Sequence, residues 1–152
     1  MLLTPAAQTT AVLTRLAELH ARAFKGHNRG WSGAEIGDLA AASSSMLVVD
    51  GEDPPNGFAL FRQVVDEAEL LTLAVEPSRW NNGVGRALLS EGISELSARG
   101  CQVLFLEVAA TNASAIAIYR RTGFATVAER PRYYRADETG TARLMRLTIA
   151  GS

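Results

Sequence analysis

The sequence predicts a single-domain mixed α/β protein, in which helices cover a sheet whose middle section is a right-handed β-loop-α-β unit. Three observations predict it. Short apolar runs of strand length alternate with segments of helical periodicity, and the centre of the chain reads strand, glycine loop, helix, strand. Hydrophobic residues make up 47% and charged residues 20% of 152 residues, enough for one core and too few for two.

Element by element, Thr4-Pro5 reads as an N-cap followed by proline at the first helical position, and Val12, Leu13, Leu16, Leu19, Ala23 and Phe24 then recur at helical spacing. Ser32-Gly33-Ala34-Glu35 has the form of a capping box and opens a shorter helix through Ile36, Leu39 and Ala40. Met46 to Val49 and Phe58 to Val65 read as strands of a hairpin, because Gly51 to Gly57 is dense in turn formers. A third strand, Leu70 to Val75, ends at Glu76-Pro77, where proline stops the ladder.

Apolar residues at 84, 88, 92, 93 and 96 mark a helix from Val84 to Arg99 that closes at Gly100. Val103 to Val108 reads as a strand buried on both faces. Asn112 caps a helix that ends at Gly123, and Phe124 to Glu129 and Arg143 to Ile149 read as strands. The chain has no repeat, low-complexity tract or linker.

Composition removes several function classes. No apolar run approaches the roughly 18 residues of a membrane span, and Met1 to Pro5 lacks the basic start and apolar stretch of a signal peptide, so a cytoplasmic protein is expected. The single cysteine, Cys101, forbids an internal disulfide or a cysteine-rich metal site and is expected to be a small buried residue. The net charge of -1 conceals an asymmetry. Through Glu76 there are 5 Lys/Arg against 10 Asp/Glu, and beyond it 10 Arg against 6 Asp/Glu. Those arginines are scattered and sit in no nucleic-acid-binding pattern, so a phosphorylated small ligand suits them better than nucleic acid. His20 and His27 fit neither a metal spacing nor a catalytic triad, and read as a helix-surface and a loop residue.

The stretch Val75-Glu76-Pro77-Ser78-Arg79-Trp80-Asn81-Asn82-Gly83-Val84-Gly85-Arg86 carries the clearest chemistry. A strand stops, a polar loop with two glycines follows, and a helix begins. Amides in such a loop and in the first helical turn have no internal partners, and the helix dipole adds positive potential, so a pyrophosphate can settle over Asn81, Asn82, Gly83, Val84, Gly85 and Arg86. A tight turn would use the same glycines. The loop is not a Walker A motif, since no Gly-Lys-Ser/Thr follows, and it lacks the third glycine of a dinucleotide fingerprint.

On these residues the chain resembles the GNAT superfamily of N-acetyltransferases, whose acyl-CoA loop has the form Arg/Gln-x-x-Gly-x-Gly/Ala at a strand-to-helix turn. Gly83 and Gly85 match, while Trp80 stands where that pattern has Arg or Gln, a loss for which Arg79 or Arg86 could compensate. Leu106-Glu107-Val108 through Asn112 and Tyr119 to Gly123-Phe124, with Arg132-Tyr133-Tyr134, is similar to the bacterial ribosomal-protein-alanine N-acetyltransferases. The similarity runs from about Asp66 to Tyr134. It implies a central, mostly antiparallel mixed sheet flanked by helices, acetyl-CoA as co-substrate with no metal, and a primary amine as acceptor.

The resemblance also implies roles. Glu107, near the end of a core strand where a carboxylate is unexpected unless paired or working, becomes the first candidate base, with Glu69 and Glu67 as weaker ones. Without the resemblance, an edge carboxylate bonded to an arginine is the plainer reading of Glu107. Tyr119, seven residues after Asn112 and so on nearly the same helix face, is the implied proton donor to the departing thiolate. Asn112 is the implied pantetheine contact as well as a cap, and Tyr119 by itself reads equally as a core aromatic. The backbone of Leu73, Ala74 and Val75 is implied to face the pantetheine, with one amide near the thioester oxygen.

Three departures touch the acceptor. Lys25 to Gly30 lengthens the turn before Trp31, Ala109 stands where relatives often have Arg, and Gly140-Thr141 stands where they often have an acidic pair. The expected acceptor is a protein N-terminus such as the N-terminal alanine of a small-subunit ribosomal protein. The alternatives are a small-molecule amine and a catalytically silent acyl-CoA-binding module.

Overall fold

A computed structural model describes residues 1–24, 32–51, 54–135 and 138–149, with the backbone alone for 132–135 and 138–139. The elements are α1 (Thr10–Ala23), α2 (Gly33–Ala41), β1 (Ser45–Asp50), β2 (Gly57–Val64), β3 (Glu67–Val75), α3 (Val84–Ala98), β4 (Val103–Ala109), α4 (Ala113–Thr122), β5 (Ala125–Arg135) and β6 (Glu138–Thr148). The six strands form one sheet in the order β1-β2-β3-β4-β6-β5, antiparallel throughout except for β3 and β4. That parallel pair flanks α3, as a strand-helix-strand crossover requires.

Local chemistry sets the helix ends. Ser32 and Glu35 form the reciprocal capping box, Asn112 Oδ1 accepts from the Ala115 amide at 3.3 Å, and Gly123 closes α4 with φ of 114°. The first helix starts later than Thr4-Pro5 predicts. Pro5–Ala7 form one 3-10 turn, and α1 begins at Thr10, where Thr9 Oγ1 accepts from the Val12 amide at 3.3 Å. The sheet draws the preceding residues away, since the Leu3 amide bonds Leu47 O at 2.8 Å and Leu2 bridges Val48.

Two apolar layers enclose the sheet. On one face Leu88, Leu89, Leu96, Ile116 and Tyr119 of α3 and α4 meet Met46, Val48, Phe61, Leu70, Leu104, Leu106 and Met145. On the other, Leu16, Leu19, Ile36 and Ala40 of α1 and α2 meet Leu47, Val49, Phe58, Leu60 and Ala74, all on β1, β2 and β3. This limit corrects the expectation for β4. It alternates, with Leu104, Leu106 and Val108 buried and Val103, Phe105, Glu107 and Ala109 half-buried, because the α1/α2 layer ends at β3. Strands β5 and β6 also run further toward their connection than their polar sequences indicate, held by mutual pairing from Ala125↔Arg146 to Arg135↔Glu138.

Cys101 is buried as expected, its thiol donating to Val103 O at 3.3 Å. His20 is not on the helix surface. It is 2% exposed, stacks on Phe24 with centroids 4.5 Å apart, and lies 3.2 Å from Thr72 Oγ1 on β3. The same stripe that buries Leu16 and Leu19 carries it inward. Burial lowers its pKa from 6.5 to about 4, so the unfolded chain takes up a proton that the folded state refuses. This contribution to stability is complete above pH 6.5 and is lost as pH drops from 6.5 toward 4. Urea midpoints measured from pH 4 to 8 should show this fall, and His20→Phe should remove the part between pH 6.5 and 5.

Candidate active site

Strand β3 breaks its own regularity near its middle. Against β2, Thr72 pairs with Leu60 and Leu70 with Phe61, so Leu71 is an extra residue, a bulge. One inserted residue exchanges the faces. Ala68 and Leu70 point into the α3/α4 layer, whereas Ala74 belongs to the α1/α2 layer and Thr72 meets His20. At the same place β3 and β4 part, because their parallel pairing runs from Glu67↔Val103 to Leu70↔Leu106 and stops. Leu73, Ala74 and Val75 lie on one side of the resulting gap, and Glu107 is the first residue of β4 beyond it.

The glycine loop lies at the outer end of β3. Asn81 and Gly83 have positive φ, 67° and 81°. Gly83 is the N-cap of α3 and supplies no side chain, so the first-turn amides of Val84, Gly85 and Arg86 are left uncapped. A Cβ added at Gly83 would meet nothing within 4 Å, so the cradle has room for a bound group. Asn81, Asn82 and Arg86 are exposed around it. Gly85 plays a different part. It is buried, and a Cβ there would lie 3.3 Å from Ile118 Cδ1 and 3.7 and 3.9 Å from Val75 and Leu73 side chains, so it lets α3, α4 and the end of β3 approach one another.

Trp80 is more than a missing Arg or Gln. Its indole Nε1 donates to Val75 O at 2.9 Å, tying the loop to the end of β3 while the ring stays 53% exposed. The oddity of Trp80 was legible in the sequence, but its hydrogen bond was not. A second tie joins α1 to the same strand end, as Arg22 grips Glu76 with Nη2 to Oε2 at 2.6 Å.

Glu107 is 22% exposed, and Arg130 of β5 donates to its Oε2 at 2.6 Å. An arginine partner is what the plainer reading of Glu107 expects, and no local pattern singled out Arg130. Tyr119 is 6% exposed, its ring 5.7 Å from Phe124, and burial raises its pKa above the usual phenol value. Asn112 caps α4 three residues beyond the end of β4. Glu69 is half-exposed and lies 3.4 Å from Arg62. The acceptor turn expected at Lys25 to Trp31, with His27, lies outside the described residues, and the side chains of Arg132, Tyr133 and Tyr134 are not described. Among the described residues no cluster of His, Cys, Asp and Glu could hold a metal, and no helix is long and apolar enough to cross a membrane.

Comparison with known proteins gives this geometry a context. The chain is 45% identical over 94 residues to the ribosomal protein bS18-alanine N-acetyltransferase of Escherichia coli (strain K12), a match over 61% of this chain and 64% of that protein. It thus spans a little under two thirds of that relative's length. It is 35% identical over 125 residues to a mycothiol acetyltransferase of Clavibacter michiganensis subsp. michiganensis, over 78% of this chain and 41% of that protein. The crystal structure of the ribosomal-protein-S18-alanine N-acetyltransferase from Escherichia coli overlays with a TM-score of 0.81 at 32% identity, covering 98% of this chain and 92% of that one. The model of the acetyltransferase (GNAT) family matches residues 13–124, a span that holds the parted strands β3 and β4, the glycine loop and Tyr119, and on that match this chain belongs to the GNAT acetyltransferase family.

Proposed function

We propose that this protein transfers the acetyl group of acetyl-CoA to a primary amine by direct attack, and that the acceptor is a protein N-terminus such as the N-terminal alanine of a ribosomal protein. The gap where β3 and β4 part carries this reading, because it has a carboxylate at its edge and an uncapped helix start at the end of one wall. The loop 81–86 would hold the pyrophosphate through backbone amides, and Leu73 to Val75 would pair with the pantetheine as an added strand.

Glu107 takes the proton of the incoming ammonium, directly or through a water. The neutral amine then attacks the thioester carbon, forming the C–N bond, and a β3 backbone amide stabilises the oxyanion. As the C–S bond breaks, the Tyr119 hydroxyl donates to the leaving sulfur, and the second proton that the nitrogen sheds as the amide forms restores the phenol. Like any phenol it is protonated at neutral pH, and burial, which raises its pKa, makes it a weaker acid whose proton moves only as the thiolate develops. Asn112 both caps α4 and reaches the pantetheine.

An α-amino acceptor suits a single carboxylate base. At pH 7 an α-amine with pKa near 7.8 is about 14% neutral, whereas a lysine near 10.4 is about 0.04% neutral. The likeness to a bS18-alanine acetyltransferase points the same way. The likeness to a mycothiol acetyltransferase favours the second reading, a small-molecule amine. Acetyl-CoA consumption with a panel of N-terminal peptides and small amines separates them. The expected result is turnover on an alanine-starting peptide at least tenfold above any small amine, and the reverse order would replace the acceptor class.

The cradle has its own test. Gly83→Val puts a β-branched residue at φ 81°, where such residues are strained, and sends its methyls into the open space. Calorimetry should find coenzyme affinity at least tenfold weaker in a protein that still melts cooperatively. Unchanged affinity would remove the loop from the binding site.

A further inference from the structure

Glu107 and Arg130 are not neighbours in the sheet. Glu107 on β4 faces Leu144 of β6, which faces Ala128 of β5, and Arg130 lies two residues further along β5, opposite Ala142. The guanidinium therefore reaches across a whole strand to place Nη2 2.6 Å from Glu107 Oε2. It does so on the sheet face that the α1/α2 layer leaves uncovered beyond β3. The pair is lopsided, with the carboxylate side chain 22% and the guanidinium side chain 63% exposed.

An ion pair with so wet a cation contributes little to folding. Its effect on the carboxylate is of another size. Partial burial opposes ionisation of a carboxylate, and an adjacent guanidinium favours it. Other charges face Glu107 from the flanking strands among the described residues. On β3 they are Glu67 and Glu69, the latter held by Arg62, and on β6 there is Arg146, opposite Phe105 one step along the same face. Among the described residues Arg130 is a cation in direct contact with it.

We propose that Arg130 is a positioning residue of the transfer reaction, holding the Glu107 carboxylate in one orientation beside the gap without itself touching the reacting atoms. This rests on Glu107 being the base. Oε2 of the carboxylate is the atom that Arg130 anchors.

The test is the pH dependence of kcat/KM from pH 4 to 9 for wild type, Arg130→Gln, Arg130→Lys, Glu107→Gln and the double variant, with thermal melting of each. One acid limb belongs to the acceptor amine and is shared by all. The lower limb, that of Glu107, should lie at higher pH in Arg130→Gln than in wild type, with the plateau within a few-fold of wild type. Arg130→Lys should return it partway. In the Glu107→Gln background, loss of Arg130 should change the rate less than twofold. An unmoved limb overturns the inference while leaving Glu107 as base, and so does an Arg130→Gln effect that persists at full size without Glu107, which would place Arg130 on the substrate. Wild-type rates in Glu107→Gln overturn the base assignment and this inference together.

Discussion

Glu107→Gln should slow acetyl transfer by about 10²–10⁴-fold at pH 7 while coenzyme affinity stays within a few-fold of wild type, since general-base catalysis is typically worth that much. The substitution keeps shape and can still accept from Arg130 Nη2, so β4 should fold as before. What it removes is the capacity to take a proton. The deficit should shrink as pH rises past the α-amine's own pKa near 7.8, because solvent then supplies the neutral nucleophile. Steady-state rates from pH 6.5 to 9.5, with coenzyme titrations alongside, measure both parts. Wild-type turnover at pH 7 would remove Glu107 from the mechanism and promote Glu69.

Gly92→Ala should destabilise the fold by about 1–3 kcal/mol, against the direction that helix propensity predicts. In the interior of an ordinary helix, glycine is about 1 kcal/mol worse than alanine, so on propensity alone the substitution would stabilise α3. Packing reverses the sign. A Cβ at Gly92 would overlap the Phe61 ring at Cζ and Cε2, and Phe61 is wholly buried between β2 and α3. Equilibrium urea unfolding reads the change. Phe61→Leu in the same chain should recover part of the loss, so that the double variant is more stable than the sum of the single effects. A Gly92→Ala protein as stable as wild type would show that the ring can move aside.

How far the sequence reaches depends on the distance over which each signal acts. The capping box at Ser32 and Glu35, the Asn112 cap and the stops at Gly100 and Gly123 operate within one turn of helix, and each was read where the structure has it. The glycine loop belongs with them, because an uncapped helix start is a local property. Thr4-Pro5 misled because the backbone just before it was claimed by β1, a partner some 45 residues away. Glu107, Asn112 and Tyr119 were picked out by a motif carried on β4 and the helix that follows it.

By itself, then, the sequence determined the order of elements, the strand-loop-helix-strand centre, most helix ends and the family resemblance, all of which are written in short runs of adjacent residues. The tertiary structure alone decided that Leu71 is a bulge, that β3 and β4 part after Leu70 and Leu106, and that His20 turns inward onto Thr72. It alone decided that Trp80 bonds Val75 O, that Arg130 reaches Glu107 over β6, and that Gly92 makes room for Phe61. All but the Trp80 bond and the bulge, which lies within the β2–β3 hairpin, join segments far apart in the chain. Such contacts depend on which elements pack together and in what register, and no run of neighbouring residues encodes that.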